Sequence, residues 1–234
     1  MITENRNGCL ICGKDLTYSP DYTSRECYYC KGSFQSNVSC VNDHFVCDNC
    51  HAQSGIKLIE TYCNHSASLN PIEMATAIMH SEKIKMHGPE HHFLVPAVLI
   101  SAYCNMLKDA SKQSKIEIAR KRAEKVLGGF CGTHGNCGAG VGTGIFISVI
   151  TGSSPLARDE WSLSNLATGR CLVSIAEHGG PRCCKRDTYL AVNEAINFLK
   201  EKFQITLESS EIRCGFSEHN KECLKADCLY FQLP

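Results

Sequence analysis

Residues 128–151 read GGFCGTHGNCGAGVGTGIFISVIT. Glycine crowds the first part of this stretch and then gives way to an apolar run from Ile145 to Ile150. Glycine at this density is costly in backbone entropy, so the chain must turn sharply here or approach something closely. A tight loop opening a buried helix meets both needs. It would hold Cys131 and Cys137 near a helix N-terminus, where the local field favours the thiolate that binds metal or attacks a substrate. Nucleotide loops are excluded by spacing. The Gly-Lys-Ser/Thr ending is missing, the glycines at 138, 140, 142 and 144 do not follow G-x-G-x-x-G, and a helical pattern precedes them. Gly140, Gly142 and Gly144 also suit close packing of one helix on another.

Working outward, Ser114 and Glu117 have capping-box spacing, and Ile116, Ala119, Ala123 and Leu127 recur at helical intervals until Gly128. The Lys and Arg residues between Lys112 and Lys125 read as the solvated face of that helix. Downstream, Ser154-Pro155 is expected to start a helix over 155–177 that carries Trp161. Then GGPRCCKRD (179–187) joins a glycine turn to Cys183, Cys184 and three cations, Arg182, Lys185 and Arg186. Those cations would depress the thiols and could hold an anion. Asp187 is expected to cap a helix from Thr188 to Lys202, with a short strand at 204–207. The tail offers Cys214, Cys223 and Cys228, three ligands wanting a fourth from Cys183 or Cys184. Three cysteines around an iron–sulfur cluster leave an open iron for substrate; four suit structure or electron transfer.

Upstream, His87, His91 and His92 lie in MHGPEHHFLVP (86–96), where Gly88-Pro89 favours a loop or first turn presenting imidazoles as ligands or acid/base groups. An apolar helix follows from Leu94 to Leu107, with Cys104 in its core. Asn70-Pro71 is a capped helix start for residues 71 to about 85. Ile56–Glu60 reads as a strand or helix start, and Cys63 and His65 as part of a polar turn.

The first 51 residues carry four ligand pairs: Cys9 and Cys12, Cys27 and Cys30, Cys40 and His44, Cys47 and Cys50. Eight soft ligands in pairs match two tetrahedral zinc ions. Consecutive pairs would make two zinc ribbons, and alternating pairs an interleaved cross-brace. His51 is an alternative to His44. So short a segment has too little apolar core to fold without metal. CVNDHFVCDNCH resembles the His-x2-Cys-x2-Cys part of cross-braced ubiquitin-ligase and related zinc modules, which implies the geometry only.

Composition bounds the function. Seventeen cysteines in 234 residues, several as C-x2-C, point to an intracellular metal protein in a reducing cytoplasm. The N-terminal MITENRNGC has no apolar signal core, and no apolar run is long enough to span a membrane. Equal numbers of cationic and acidic residues, 24 each, argue against a nucleic-acid coat or a membrane-surface protein.

GPEHHFLVPAVL, CGTHGNCGAGVGTGIFISVITGSSPL and GGPRCCKRD, followed by FS-x2-NKEC-x4-C, together resemble an uncharacterised cysteine-rich family of anaerobic microbes, over nearly the whole chain including the zinc module. The glycine-rich helix opening is also similar to that of iron–sulfur serine dehydratases and cysteine desulfidases, which implies a [4Fe–4S] cluster with an open iron. The expected architecture is a mainly α-helical body with Gly-rich helix-opening loops (61–234), a small β-rich two-zinc module (1–60) and a short Cys-rich C-terminal extension. The expected function is an iron–sulfur enzyme, of lyase, desulfidase or sulfur-transfer type, on a small polar, sulfur-containing or anionic substrate. Cys131, Cys137, His87, His91, His92 and Arg182 are its candidate catalytic residues. Cys183, Cys184, Cys214, Cys223 and Cys228 are its candidate cofactor ligands. The alternatives are a zinc module that binds RNA or a protein partner, and an electron or sulfur carrier.

Overall fold

The computed structural model describes residues 9, 11–12, 14–47, 50 and 54–232. Among these, a two-stranded antiparallel sheet precedes a body of helices. Strand β1 spans Leu16–Glu26 and β2 spans Ser33–Cys40, paired from Leu16↔Cys40 to Glu26↔Ser33 with an irregularity between Tyr18 and Thr23. The hairpin decides how the ligand pairs combine. Cys27 and Cys30 sit in the turn between the strands, whereas Cys12 precedes β1 and Cys40 ends β2, so the first and third pairs meet at the opposite end.

The body starts with α1 (Gly55–His65), whose N-cap Ser54 accepts the Lys57 N–H. Cys63 and His65 therefore lie on a helix rather than in a polar turn, and Cys63 is fully buried. Helix α2 (Pro71–Met79) starts as expected: Asn70 Oδ1 accepts from the Ile72 and Glu73 N–H groups, and Pro71 opens the first turn. It stops short of residue 85. Helix α3 (Glu90–Leu107) takes in His91 and His92 in its first turn, the second of the two settings expected, whereas His87 precedes it. Cys104 is buried in it.

Helix α4 (Lys112–Ala123) begins ahead of Ser114, whose hydroxyl donates back to the Ser111 carbonyl, so no capping box forms there. A single turn, α5 (Phe130–Thr133), carries Cys131 in the glycine loop. Helix α6 (Gly138–Thr151) follows Cys137 at its N-cap, as the opening stretch predicts. Helix α7 (Asp159–Glu177) begins after a turn over Ser154–Ala157, not at Pro155. Helix α8 (Cys184–Phe203) starts at Cys184, which places Asp187 inside the first turn instead of at the cap. Residues 204–207 are irregular rather than a strand, and the tail folds in turns, with single 3-10 turns at Ser217–His219 and Lys225–Asp227.

Helix α6 is the centre of the body and packs on α3, α4, α7 and α8. Its glycines explain how. A Cβ on Gly138 would stand 2.1 Å from the His92 ring, and one on Gly142 would stand 3.0 Å from Pro96 and Val95, all on α3. On the other side, a Cβ on Gly140 would meet Leu172 at 2.8 Å, and one on Gly144 would meet Thr168 Oγ1 at 1.9 Å, both on α7. Two faces of one helix are thus bare so that two neighbours can come close. The loop glycines Gly128, Gly129, Gly132 and Gly135 meet nothing within 4 Å. Gly129 (φ +87°) and Gly135 (φ +62°) instead supply left-handed turns that bend the loop.

Candidate metal and thiol sites

In the N-terminal module, Cys9, Cys12, Cys40 and His44 hold their ligand atoms within 4.8 Å of one another, and so do Cys27, Cys30, Cys47 and Cys50. The pairs alternate, so the arrangement is a cross-brace. For a tetrahedral ion with metal–sulfur bonds of about 2.3 Å, neighbouring sulfurs stand about 3.8 Å apart. Cys12 and Cys40 are 3.8 Å apart and Cys30 and Cys47 3.9 Å. His44 points Nδ1 at the Cys40 sulfur, 3.4 Å away. Backbone N–H groups turn toward the sulfurs: Ile11 to Cys9 at 3.4 Å, Asn42 to Cys40 at 3.2 Å and Cys47 to Cys27 at 3.4 Å. At Cys27 and Cys40 burial opposes the thiolate, yet these donors prevail and lower both thiols. Both groups could hold a metal ion. His51 lies outside the described residues.

The module rests on the body through aromatic rings. Tyr62 of α1 stands 6.2 Å from Tyr28 and 6.1 Å from Tyr29, ring centre to ring centre. These tyrosines are packing residues.

In the body, the glycine loop and GGPRCCKRD meet. Cys131, Cys137, Arg182 and Asp187 line one open cavity of about 470 Å³, walled also by loop glycines and by Leu172 and Ile175 of α7. Cys137 Sγ lies 3.9 Å from Asp187 Oδ2. Cys184, at the start of α8, belongs to the same neighbourhood: its thiol feels Cys131, and Cys137 in turn feels Cys184. The expected depression does not occur at Cys137 and Cys184. Burial, reinforced by the Asp187 carboxylate, pushes Cys137 up to about 12, outweighing the Ala139 and Gly140 amides at the α6 N-terminus. Burial also raises Cys184 against the pull of Arg182. A bound metal would favour the thiolates of Cys137 and Cys184.

Of the three cations in GGPRCCKRD, only Arg182 is exposed. Lys185 is buried, donates to the Met79 and Ile84 carbonyls at 2.8 and 3.0 Å, and lies 4.8 Å over the Phe216 ring. Burial lowers it to about 8. Arg186 is buried too, donating to the Gly179 carbonyl at 2.6 Å and to Asp187 Oδ1 at 3.3 Å. Asp187 was legible only as a helix cap. Its carboxyl faces the cavity and is raised by burial, against the pull of Arg186.

The histidines do not line this cavity. His91 is buried and held on both nitrogens, Nδ1 2.7 Å from Thr188 Oγ1 and Nε2 donating to the Lys85 carbonyl at 3.1 Å, which ties α3 to α8. Burial drives it down to about 3, so it is neutral. His92 donates from Nδ1 to the Val126 carbonyl at 3.0 Å and sits behind the loop against Gly138. His87 faces Glu222, Nε2 to Oε2 3.4 Å, and its Nδ1 is buried without a partner. GPEHH thus backs the site, with the Gly88 N–H directed at the Cys184 sulfur.

Cys183 turns away from its neighbour. With Cys214, Cys223 and Cys228 it lines a separate, narrow cavity of about 20 Å³ that shares Arg186 with the larger one. The basic face of α4 is largely committed: Lys112 donates to the Ser66 carbonyl, Lys115 pairs with Asp109, Arg120 with Glu60 and Glu124, and Lys121 with Glu117.

Residues 59–231 match the model of DUF5714, a family of unknown function. The chain belongs to this family. The match begins at Ile59, so the N-terminal module lies outside it, contrary to the wider resemblance the sequence suggested. No curated protein and no solved structure matches the chain. No helix among the described residues is long and apolar enough to cross a membrane, and all seventeen cysteines are free.

Proposed function

We propose that the DUF5714 body of this chain is an iron–sulfur enzyme acting on a small anionic molecule that carries a hydroxyl or thiol leaving group. Cys131 and Cys137, which line the cavity of about 470 Å³, with Cys184 in electrostatic reach, would hold a [4Fe–4S] cluster. The observation that carries the reading is that Cys131 and Cys137 of the glycine loop and Arg182 and Asp187 of GGPRCCKRD, segments far apart in sequence, line one substrate-sized cavity with an exposed cation at its edge. When bound, the cluster supplies a Lewis acid that polarises the leaving group. Arg182 pairs with the substrate anion, and the glycine loop lets the backbone come close to it. Asp187, kept protonated more readily by burial, is placed to give or take a proton. His92 positions the loop from behind. The reaction class is lyase, desulfidase or sulfur transfer.

The N-terminal module is a two-zinc unit in this reading, and free thiols throughout imply a reducing, cytoplasmic, oxygen-poor setting. In this reading the module is a docking unit for a protein partner, separate from the chemistry.

The test uses oxygen-free, cluster-loaded protein and its visible absorption. Small hydroxy and thiol acids are titrated in, and a binder is expected to shift the cluster bands. Arg182→Ala should weaken that binder about tenfold or more, the worth of one charge-assisted contact. A titration in which no acid alters the spectrum, or in which Arg182→Ala binds as wild type does, would refute the reading.

A further inference from the structure

We infer that Cys183, Cys214, Cys223 and Cys228 form a further metal centre, closed by four thiolates and distinct from the cluster at the glycine loop. Three observations converge on it. All four side chains line one narrow cavity, three from the tail and one from the residue before α8. The tail also repeats the backbone habit of the N-terminal ligands: the Phe216 N–H points at the Cys214 sulfur and the Lys225 N–H at the Cys223 sulfur, each at 3.4 Å and each two residues on. Lys225 takes a left-handed conformation (φ +50°) to complete its turn, as Lys31 (φ +57°) does one residue after Cys30.

The third observation is what the tail lacks. From residue 204 to 232 it has no helix beyond two 3-10 turns and no strand. Its buried anchors among the large apolar residues are Leu207, Phe216 and Tyr230. A segment so poor in regular structure and core is ordinarily held by a disulfide or a metal. No disulfide links its cysteines, and among the described residues its ends are joined by the backbone bond from Cys214 N–H to the Tyr230 carbonyl at 2.9 Å, beside side-chain contacts such as Lys185 on Phe216.

Adjacent cysteines cannot readily serve one tetrahedral ion, and the structure divides them. Cys183 faces the tail and Cys184 faces the glycine loop, so the CC pair links two sites through one peptide bond. With all four positions taken by protein, the tail centre has no place for substrate. It is therefore a structural or electron-transfer centre. The ligand class is a soft metal bound by four thiolates, either one zinc ion or an iron–sulfur cluster. The four sulfurs are not drawn together within 4.8 Å as the N-terminal ligands are, so binding would pull the tail inward.

The experiment is metal and acid-labile sulfide content of the full chain, prepared without oxygen, for wild type, Cys223→Ser and Cys228→Ser. Each variant should lose one centre's worth: one zinc, or the iron and sulfide of one cluster. The N-terminal ions and the glycine-loop metal should stay. Cys131→Ser separates the two readings, since it should empty the glycine loop and leave the tail centre filled. Should the tail variants fail to fold, thiol alkylation of native wild type decides, read peptide by peptide. Cys214, Cys223 and Cys228 should resist the reagent until a chelator is added and then react together. Unchanged metal content in both tail variants, or immediate alkylation of these cysteines in metal-loaded wild type, would overturn the inference.

Discussion

The N-terminal module and the glycine-loop region use the same soft donors and build from them in opposite ways. In the module, each ligand pair lies within one short turn, and an antiparallel hairpin interleaves the pairs. In the body, Cys131 and Cys137 of the glycine loop come to line one cavity with Arg182 and Asp187, with Cys184 in electrostatic reach, only because α6 packs against its neighbours. Local spacing makes the first kind of site, tertiary packing the second. The module should therefore depend on metal to fold, whereas the body should fold first and offer a site.

The sharpest way to break this contrast is to strip the metal. A strong chelator, or Cys27→Ala, should unfold the module, since structural metal supplies about 10–16 kcal/mol in such units. Far-ultraviolet circular dichroism should meanwhile show the helical body intact. Loss of helical signal in step with the metal would mean that the body too is metal-nucleated.

Next in size are changes to the packing that assembles the body site. Gly144→Ala places a methyl 1.9 Å from Thr168 Oγ1 and 2.9 Å from the Ser164 carbonyl, and should destabilise by about 1–3 kcal/mol in denaturant unfolding. Gly132→Ala, in the open loop, should stay within about 0.5 kcal/mol. Equal effects would show that α6 does not need its bare faces.

His91 gives a pH-dependent comparison. Its folded pKa is depressed to about 3 against an ordinary 6.5, so its contribution is present in full above 6.5 and is lost as pH falls toward 3. Between pH 6.5 and pH 5 that is about 2 kcal/mol in wild type, and His91→Asn should lack it. Parallel pH profiles of the two proteins would contradict a buried neutral imidazole. Smallest of all, Lys121→Ala removes an exposed pair with Glu117 and should cost about 0.3–0.5 kcal/mol or less.

The same contrast explains what could be read in the sequence. The eight module ligands were legible because C-x2-C and C-x3-H confine two donors to one turn; which pairs combine was not, because that is set by the strand register. The helical body was legible from apolar periodicity and from Asn70-Pro71. Asp187 illustrates the limit: a carboxylate before an apolar helix reads as a cap, but α8 begins three residues earlier and buries it beside Cys137. His91 and Lys185 looked like chemistry and are interior hydrogen-bonding groups, a difference that lies wholly in burial. The separate fates of Cys183 and Cys184 follow from their places just before and on the first turn of α8, which no spacing rule discloses.

The most direct test of the central claim is a count of iron, acid-labile sulfide and zinc per chain on oxygen-free protein, wild type beside Cys131→Ala. The account predicts zinc in the module of both proteins, and iron and sulfide in wild type that fall by one cluster's worth in Cys131→Ala. Zinc alone in wild type, or iron and sulfide unchanged by the substitution, would contradict it.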